Sequence, residues 1–268
     1  MVGLRHSLNL HPGPAMLEPT PAKDVIVHAP HPPLTQYYRN EEERRSWVRK
    51  MFDGTAADYD RIESILGFGT GSWYRHQALL RAGLAPGMRI ADIGVGTGLV
   101  AREAAKIIGD PGSVTGVDPS PGMMQNAQVP AGVNLVQGSA ENIPFPDNTF
   151  DFLSMGYALR HISDLSVAFT EFHRVLKPGG RICILEITCP EKKLQKMLLK
   201  AYIRGVVPML ARLASRNGNT SVLWRYYWDT IEACATPESV MRTLENAGFS
   251  GVNRHVELGI FSEYRAVK

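Results

Sequence analysis

The sequence predicts an α/β fold, a mainly parallel sheet with helices on both faces, and three observations carry that expectation. Short apolar runs alternate with segments of helical period along most of the chain. The run Ile90-Ala91-Asp92-Ile93 enters a glycine-rich turn, Gly94-Val95-Gly96-Thr97-Gly98, and then a helical segment that begins Leu99-Val100. A second apolar run, Ser113 to Val117, ends on Asp118. Strand, glycine turn, helix, strand and terminal carboxylate is how an open α/β sheet holds a nucleoside: glycines admit close backbone approach, and the carboxylate bonds the ribose hydroxyls.

The elements follow in order. Residues 1–40 hold several prolines and histidines and no apolar run of signal-peptide length, so they read as a flexible N-terminal tail. Glu41 to Leu66 is charged and aromatic, with a helix expected at each end. Trp73 to Ala82 is a helix closed by Gly83 and the Pro86-Gly87 turn. Strand one spans Arg89 to Ile93, with Leu99 to Ile108 as its crossover helix. Strand two is Val114 to Val117, followed by a short helix from Pro121 to Ala127. Val133 to Gln137 and Phe150 to Met155 are strands three and four. Asp164 caps a helix whose apolar positions, Leu165, Ala168, Phe169, Phe172, Val175 and Leu176, keep the helical period. Lys177-Pro178-Gly179-Gly180 ends that helix and turns into strand five, Arg181 to Ile187. Ligands of such sheets sit at the carboxyl ends of the strands, where Asp92, Gly94, Asp118, Ser139 and Gly156 fall.

The glycine spacing narrows the ligand. A dinucleotide turn reads G-x-G-x-x-G, but here Gly94, Gly96 and Gly98 are evenly spaced and Leu99 stands where its third glycine would be. No G-x-x-x-x-G-K-[ST] phosphate loop occurs. Asp92 before the turn suits a ligand with a positive amino group better than a pyrophosphate. These departures favour S-adenosyl-L-methionine (SAM) over NAD. The backbone of Gly94, Gly96 and Thr97 would hold it, with Asp118 on the ribose and Asp92 near the methionine end. Met123 or Met124 would lie against the adenine, with Ile143 as another candidate wall, and Ser139 and Ala140 follow strand three at the same edge.

Composition sets bounds. At 268 residues with 44% hydrophobic content, one globular domain over 41–268 with a tail is expected. A net charge of +3 gives no argument for a nucleic-acid partner. Cys183, Cys189 and Cys234 make no C-x-x-C pair and fit a reducing, cytoplasmic setting. His6, His11, His28 and His31 show no metal-ligand spacing, so no metal is expected.

Several stretches taken together resemble one family. They are Phe52-Asp53 with Ala57-Asp58-Tyr59-Asp60, the turn from Asp92 to Gly98, Ala140-Glu141-Asn142-Ile143-Pro144-Phe145-Pro146-Asp147, Leu159-Arg160, and Arg174-Val175-Leu176-Lys177-Pro178-Gly179-Gly180. From about Val48 to the end, the chain resembles the ubiquinone/menaquinone biosynthesis C-methyltransferases, a branch of the class I SAM-dependent methyltransferases. The resemblance implies a Rossmann-like class I methyltransferase fold with a seven-stranded sheet and a helical lid. It implies methyl transfer from SAM to a carbon of a quinol-like ring or an isoprenoid. Tyr59 would position that ring, and Arg160 would stabilise the developing oxyanion or orient a water. The chain also departs from the pattern. His161 stands where the family usually has Asn, Glu63 and Ser64 stand where it has an Asn-Asp pair, and Ser139 replaces an Asp or Asn. Ser139 stands at the adenine-contacting position, while the other changes fall on the substrate side and leave a specialised-metabolite acceptor open. A SAM-binding protein of the same fold that catalyses a cyclisation, or binds without methyl transfer, is the alternative.

Two segments supply a cover and a wall. Lids are expected near 48–74 and 192–228. Lys192 to Leu213 mixes apolar and basic residues around Pro208, which should kink or split it. It suits a helix that covers an apolar small-molecule substrate, rests peripherally on a membrane, or simply packs on the sheet. Trp224-Arg225-Tyr226-Tyr227-Trp228 is the densest aromatic cluster. Trp224, Tyr226 and Trp228, with Tyr157 after strand four, are candidate substrate contacts, against a reading as ordinary core aromatics. His161, just past strand four, should face the cleft, and its near-neutral intrinsic pKa suits a general base. The oligomeric state is not legible.

Overall fold

A glycine-rich turn between two buried strands fixes the architecture. The structure is a computed structural model that describes residues 28–66, 69–214 and 220–268. Helices α1 (Glu41–Leu66) and α2 (Gly71–Arg81) precede strand β1 (Ile90–Ile93). Then come α3 (Leu99–Ile108), β2 (Val114–Asp118), α4 (Pro121–Gln125), β3 (Asn134–Gln137), β4 (Phe150–Gly156), α5 (Leu165–Val175) and β5 (Leu176–Ile187). The chain continues with α6 (Lys193–Ala201), α7 (Val207–Ala214), α8 (Thr220–Ala233), α9 (Pro237–Asn246), β6 (Ser250–Glu257) and β7 (Phe261–Val267). The seven strands lie in the order β3-β2-β1-β4-β5-β7-β6. All neighbours are parallel except β7, which runs antiparallel to both β5 and β6. Strand order reverses between β1 and β4, which opens a crevice at their carboxyl ends.

Burial explains why the inner strands are mostly apolar. Every residue of β1 and β2 is buried, as strands covered on both faces must be. The α5 helix starts where the Asp164 carboxylate accepts the Ser166 and Val167 N–H groups, and it buries Leu165, Ala168, Phe169, Phe172 and Val175. On the opposite face α3 ends at Gly109, whose φ of +78° makes the left-handed cap.

Four elements differ from the sequence expectation, each for a tertiary reason. First, α1 is one helix of 26 residues rather than two. The interior Gly54 costs only about 1 kcal/mol, and side-chain anchors on both sides of it hold the helix down. Second, β5 begins at Leu176, not Arg181. Leu176 pairs with Phe150, and Gly179 and Gly180 bond Lys268, so Lys177-Pro178-Gly179-Gly180 is a bulged strand start rather than a turn. Third, the cover segment breaks before Pro208. A wide π turn, Tyr202–Val206, joins α6 to α7, and Pro208, which lacks an N–H, sits in the first turn of the new helix. Fourth, the tail is docked from residue 28 onward. Leu165 N–H donates to His28 O, Ala235 N–H donates to Pro30 O, and His31 and Tyr38 are buried. Residues 1–27 of the expected tail lie outside the described residues.

A separate apolar cluster sits above the sheet edge. Ile203, Val207 and Ala211 pack on Leu223, Trp224, Tyr227, Trp228 and Ile231, with Met51 and Phe52 of α1 against them. This cluster ties α1, α7 and α8 into a roof over the crevice.

Candidate active site

A cavity of about 470 Å³ opens at the switch point between β1 and β4, within the usual ~300–1,000 Å³ of small-molecule sites. Its floor is the glycine turn. Gly94, Gly96 and Gly98 have φ of +70°, +54° and +89°, a region that side chains rarely adopt. A Cβ on Gly94 would stand 2.7 Å from Ala158 Cβ, and one on Gly98 would collide with Val129 Cγ1. Their amides are already used. Gly94 N–H donates to Val117 O at 2.7 Å, and Gly96 N–H donates to Asp118 Oδ2 at 2.8 Å. The glycines therefore offer space and backbone shape, not the free N–H donors that the motif alone suggests.

Asp118 lines the cavity at the end of β2, as expected from the spacing. Its second oxygen accepts the Ser120 N–H at 2.8 Å. Burial, with the Asp53 charge nearby, pushes its carboxyl up to about 6, against the pull of these two backbone bonds. Ser120, Met123, Ser139 and Asn142 line the same end. Ala140 does not; it belongs to the core beneath. Asp92 is also below the wall. Its Oδ1 accepts the Ser154 hydroxyl at 2.7 Å, its Oδ2 has no partner, and burial raises its carboxyl to about 7.

Helix α1 closes the cavity through a seven-residue repeat. Asp53 and Asp60, two turns apart, share one face, and so do Phe52 and Tyr59. The acidic pair clamps the helix to the floor. Asp53 accepts the Ser120 hydroxyl at 2.5 Å and the Gly122 N–H at 3.0 Å. Asp60 accepts the Thr97 hydroxyl, and its other oxygen pairs with Arg102 at 2.8 Å. Thr97 thus spends its side chain on the cover, although it still lines the cavity. The aromatic pair of the repeat, Phe52 and Tyr59, faces the cavity.

The opposite wall is aromatic. Tyr59 and Tyr227 share a hydroxyl–hydroxyl bond of 2.7 Å. His161 lies edge-on to Phe52 at 5.1 Å between centroids and stacks on Tyr226 at 5.6 Å. Its Nδ1 is 3.3 Å from the Tyr226 hydroxyl, and its buried Nε2 has no partner. Burial, with the charges of Arg160, Arg44 and His31, holds its pKa well below the usual range, so the ring is neutral near pH 7.

Several expected contacts sit elsewhere. Arg160 does not reach the cavity; it is fully buried, pairs with Glu186, and lies 4.4 Å over the Tyr227 ring. It lies behind the wall, beneath the Tyr227 ring. Trp224 and Trp228 belong to the roof cluster, and Trp228 Nε1 donates to Glu232 at 2.8 Å. Tyr226 packs on Trp47 and Tyr37 and stacks on His161, and does not itself line the cavity. Trp224, Tyr227, Trp228 and Ile231 follow i, i+3, i+4, i+7 and share the face of α8 that packs into that cluster. Of that run, Tyr227 is the one that lines the cavity. Tyr157 does line it, at an unusual φ of +60° held by its N–H bond to Leu185 O at 2.7 Å. Arg75, from the middle of α2, also reaches the cavity, and no local sequence signal marks it.

Comparison with known proteins fits this geometry. Residues 38–268 match the model of the ubiE/COQ5 methyltransferase family. The ubiquinone/menaquinone biosynthesis C-methyltransferase UbiE of Shewanella halifaxensis is 30% identical over 219 residues, 79% of this chain and 86% of that protein. The demethylmenaquinone methyltransferase of Lactiplantibacillus plantarum is 34% identical over 213 residues, 77% of this chain and 89% of that protein. Among solved structures, a SAM-dependent methyltransferase from Thermotoga maritima superposes with a TM-score of 0.58 at 24% identity, over 82% of this chain and 99% of that one. A phosphoethanolamine N-methyltransferase of Haemonchus contortus gives 0.59 at 21% identity, over 84% and 60%. At such identities the structures speak to the fold.

Proposed function

The chain belongs to the ubiE/COQ5 methyltransferase family, and from that premise we propose that it transfers the SAM methyl group to a ring carbon of a small, quinol-like acceptor. The observation that carries this reading is the polarity of the cavity, with a buried carboxylate, Asp118, at one end and an aromatic wall with one unpartnered imidazole nitrogen at the other. Asp118 would bind the two ribose hydroxyls, and Met123, Ser139 and Asn142 would enclose the adenine. When bound, SAM supplies a methyl group on a sulfonium, ready for an in-line nucleophile.

The chain's own residues have little covalent chemistry to perform. They hold the acceptor in line, exclude water and move one proton. Phe52, Tyr157 and Tyr227 would sandwich a flat apolar ring. The Tyr59–Tyr227 hydroxyl pair would hydrogen-bond a ring oxygen. His161 Nε2, neutral and unpartnered, would take the acceptor's O–H proton, which places electron density on the adjacent ring carbon; once that carbon has bonded the methyl group, its C–H proton leaves and the oxygen is reprotonated, so that one proton is released overall. Arg160, beneath the Tyr227 ring, would stabilise negative charge on the hydroxyl pair from behind. An alkene acceptor finds less support, because Trp224 and Trp228, expected to shield a cation, face the roof cluster.

The test is turnover with methyl-labelled SAM across reduced quinols, simple phenols and prenyl alkenes. Label should pass to a quinol lacking one ring methyl, and to phenols and alkenes poorly. SAM binding with no transfer to any acceptor would favour the binding-only alternative.

We also propose a lid that meets a membrane. Residues 48–66, 69–74, 192–214 and 220–228 would form the cover; the rest of the expected lid segments, 67–68 and 215–219, lies outside the described residues. Leu194, Met197, Leu198 and Met209 are 58–63% exposed along α6 and α7, while Ile203, Val207 and Ala211 pack inward. Residues 192–214 contain Lys and Arg but no Asp or Glu. An apolar stripe in a cationic segment is complementary to an anionic lipid surface. No helix among the described residues is long and apolar enough to cross a membrane, so contact would be peripheral. The protein should float with phosphatidylglycerol vesicles, less so in high salt, and Met197→Glu with Leu198→Glu should abolish flotation. Equal flotation of that double variant would exclude this face.

A further inference from the structure

One stretch of the cavity wall is cationic, although the wall beside it is aromatic. Arg45, Arg49 and Phe52 follow i, i+4, i+7 on α1, so they share one stripe of that helix, and all three line the cavity. Phe52 lies edge-on to His161. The two arginines therefore stand one and two helical turns from the place where the aromatic wall would hold an acceptor ring. Both are exposed, which puts them where the cavity meets solvent.

The arginines of this stretch are not equivalent. Arg44 is buried and committed, because it pairs with Glu41 and donates to the carbonyls of His161 and Ile162. Arg45 turns its Nε to the same Glu41 at 3.3 Å and to Ser163 Oγ at 3.2 Å, and its Nη atoms have no acceptor among the described residues. Arg49 has no carboxylate partner among the described residues. One carboxylate is thus shared by two guanidiniums, and a third, one turn further on, has none. Like charges at this spacing repel.

The carboxylates of the lining do not relieve this imbalance. Asp118 is held by the Gly96 and Ser120 N–H groups, and Glu141 accepts the Ser163 N–H at 2.6 Å. Bound SAM, with its sulfonium, would carry a net positive charge and add to the excess. A neutral acceptor leaves the two guanidiniums without an anion. A long isoprenoid tail passing over them would cover them with alkyl surface and offer no acceptor. A ring that carries a carboxylate meets both ends of the site, with its hydroxyl at the Tyr59–Tyr227 pair and its anionic group toward α1.

We propose that Arg45 and Arg49 bind a carboxylate on the acceptor ring, so that the preferred acceptor is a carboxylated hydroquinone rather than a neutral one. This inference rests on the ring-methylation reading above and adds the substituent that the acceptor carries. Arg45 and Arg49 would act on specificity and not on the reacting atoms, so their contribution belongs in KM.

The test compares three acceptors at saturating labelled SAM: a hydroquinone carboxylic acid, its methyl ester and the corresponding aminomethyl hydroquinone. Wild type should favour the acid over the ester in kcat/KM on the order of 10-fold, a charge-assisted contact discounted for partial solvent exposure. The preference should reside in KM and shrink as salt rises. Arg45→Gln with Arg49→Gln should bring the ratio of acid to ester close to one, and Arg49→Glu should move the preference toward the aminomethyl compound. Equal kcat/KM of wild type for acid and ester would overturn the inference and leave ring methylation standing. A double variant that weakens acid and ester alike would also overturn it, since that marks a structural role. Transfer to none of the three would remove the inference together with the reading it rests on. The wild-type comparison needs no variant to fold.

Discussion

Asp118→Ala is expected to weaken SAM binding by about 10²–10⁴-fold, the loss of two charge-assisted hydrogen bonds of roughly 1.5–3 kcal/mol each. The carboxylate is well placed for this role. It is buried, it lines the cavity, and it is fixed by the Gly96 and Ser120 N–H groups, so little ordering remains for the ligand to impose. The substitution also leaves those two donors unpaired, so its thermal midpoint must be measured beside its affinity. Asp118→Asn, which keeps an acceptor oxygen but no charge, should fall between the two. Calorimetry that finds unchanged affinity in Asp118→Ala would remove the ribose assignment.

The same carboxylate gives a pH dependence with a definite sign. Burial raises its pKa to about 6, above the roughly 3.9 of an unfolded chain. Below about pH 6 the ligand-free carboxyl takes up a proton and loses acceptor strength, so SAM affinity should fall. Stability moves the other way. A raised carboxyl pKa means that the folded state holds more protons between about pH 4 and 6, so this group adds stability as pH falls through that window. A loss of affinity near pH 5.5 with no loss of thermal midpoint would separate the two effects.

The second large effect concerns turnover. His161→Ala is expected to lower kcat by about 10²–10⁴-fold, the usual contribution of a positioned base, while SAM affinity stays within about twofold. His161→Asn sharpens the test, because a carboxamide can accept a hydrogen bond but cannot take a proton. Its position matches the Asn usual in the resembling family, so a fully active His161→Asn would show that positioning, not proton transfer, is what this site needs. The pH profile discriminates further. Burial and the charges of Arg160, Arg44 and His31 keep the imidazole neutral well below its ordinary titration range. With saturating SAM, kcat should therefore show no acid limb near pH 6.5. An inflection there would mean that His161 is more solvated than its surroundings imply.

How far the sequence reached depends on whether a feature is local. The run from Ile90 to Leu99, Asp118 at the end of β2, and the Asp164 cap were legible because backbone conformation, burial and capping are set within a few residues. The mainly parallel, seven-stranded sheet followed from the alternation of elements and the resemblance together. Arg75 was hidden, because on α2 it reads as one more charged helical residue, and only the packing of α2 on α3, which sets Arg75 over the Tyr157 ring, brings it to the cavity. The aromatic run on α8 announced itself by density, but Trp224, Tyr227 and Trp228 share the face packed into the roof cluster, and of the three Tyr227 is the one that also lines the cavity, which only the tertiary packing decides. The continuity of α1 was likewise invisible around Gly54, since Asp53 and Asp60 find their partners on the distant glycine turn and α4. Arg160 was misplaced for a similar reason. The buried Glu186 on β5 claims its guanidinium, and no local pattern links the two.

The most direct test of the account is the position of the label after turnover. The wild-type protein is given SAM labelled on its methyl carbon and a reduced quinol lacking one ring methyl, and the product is read by carbon NMR. The account predicts that the label appears as a methyl group on the ring carbon next to a hydroxyl, with S-adenosylhomocysteine formed in equal amount. Label found on the ring oxygen, or none transferred although SAM binds, would contradict it.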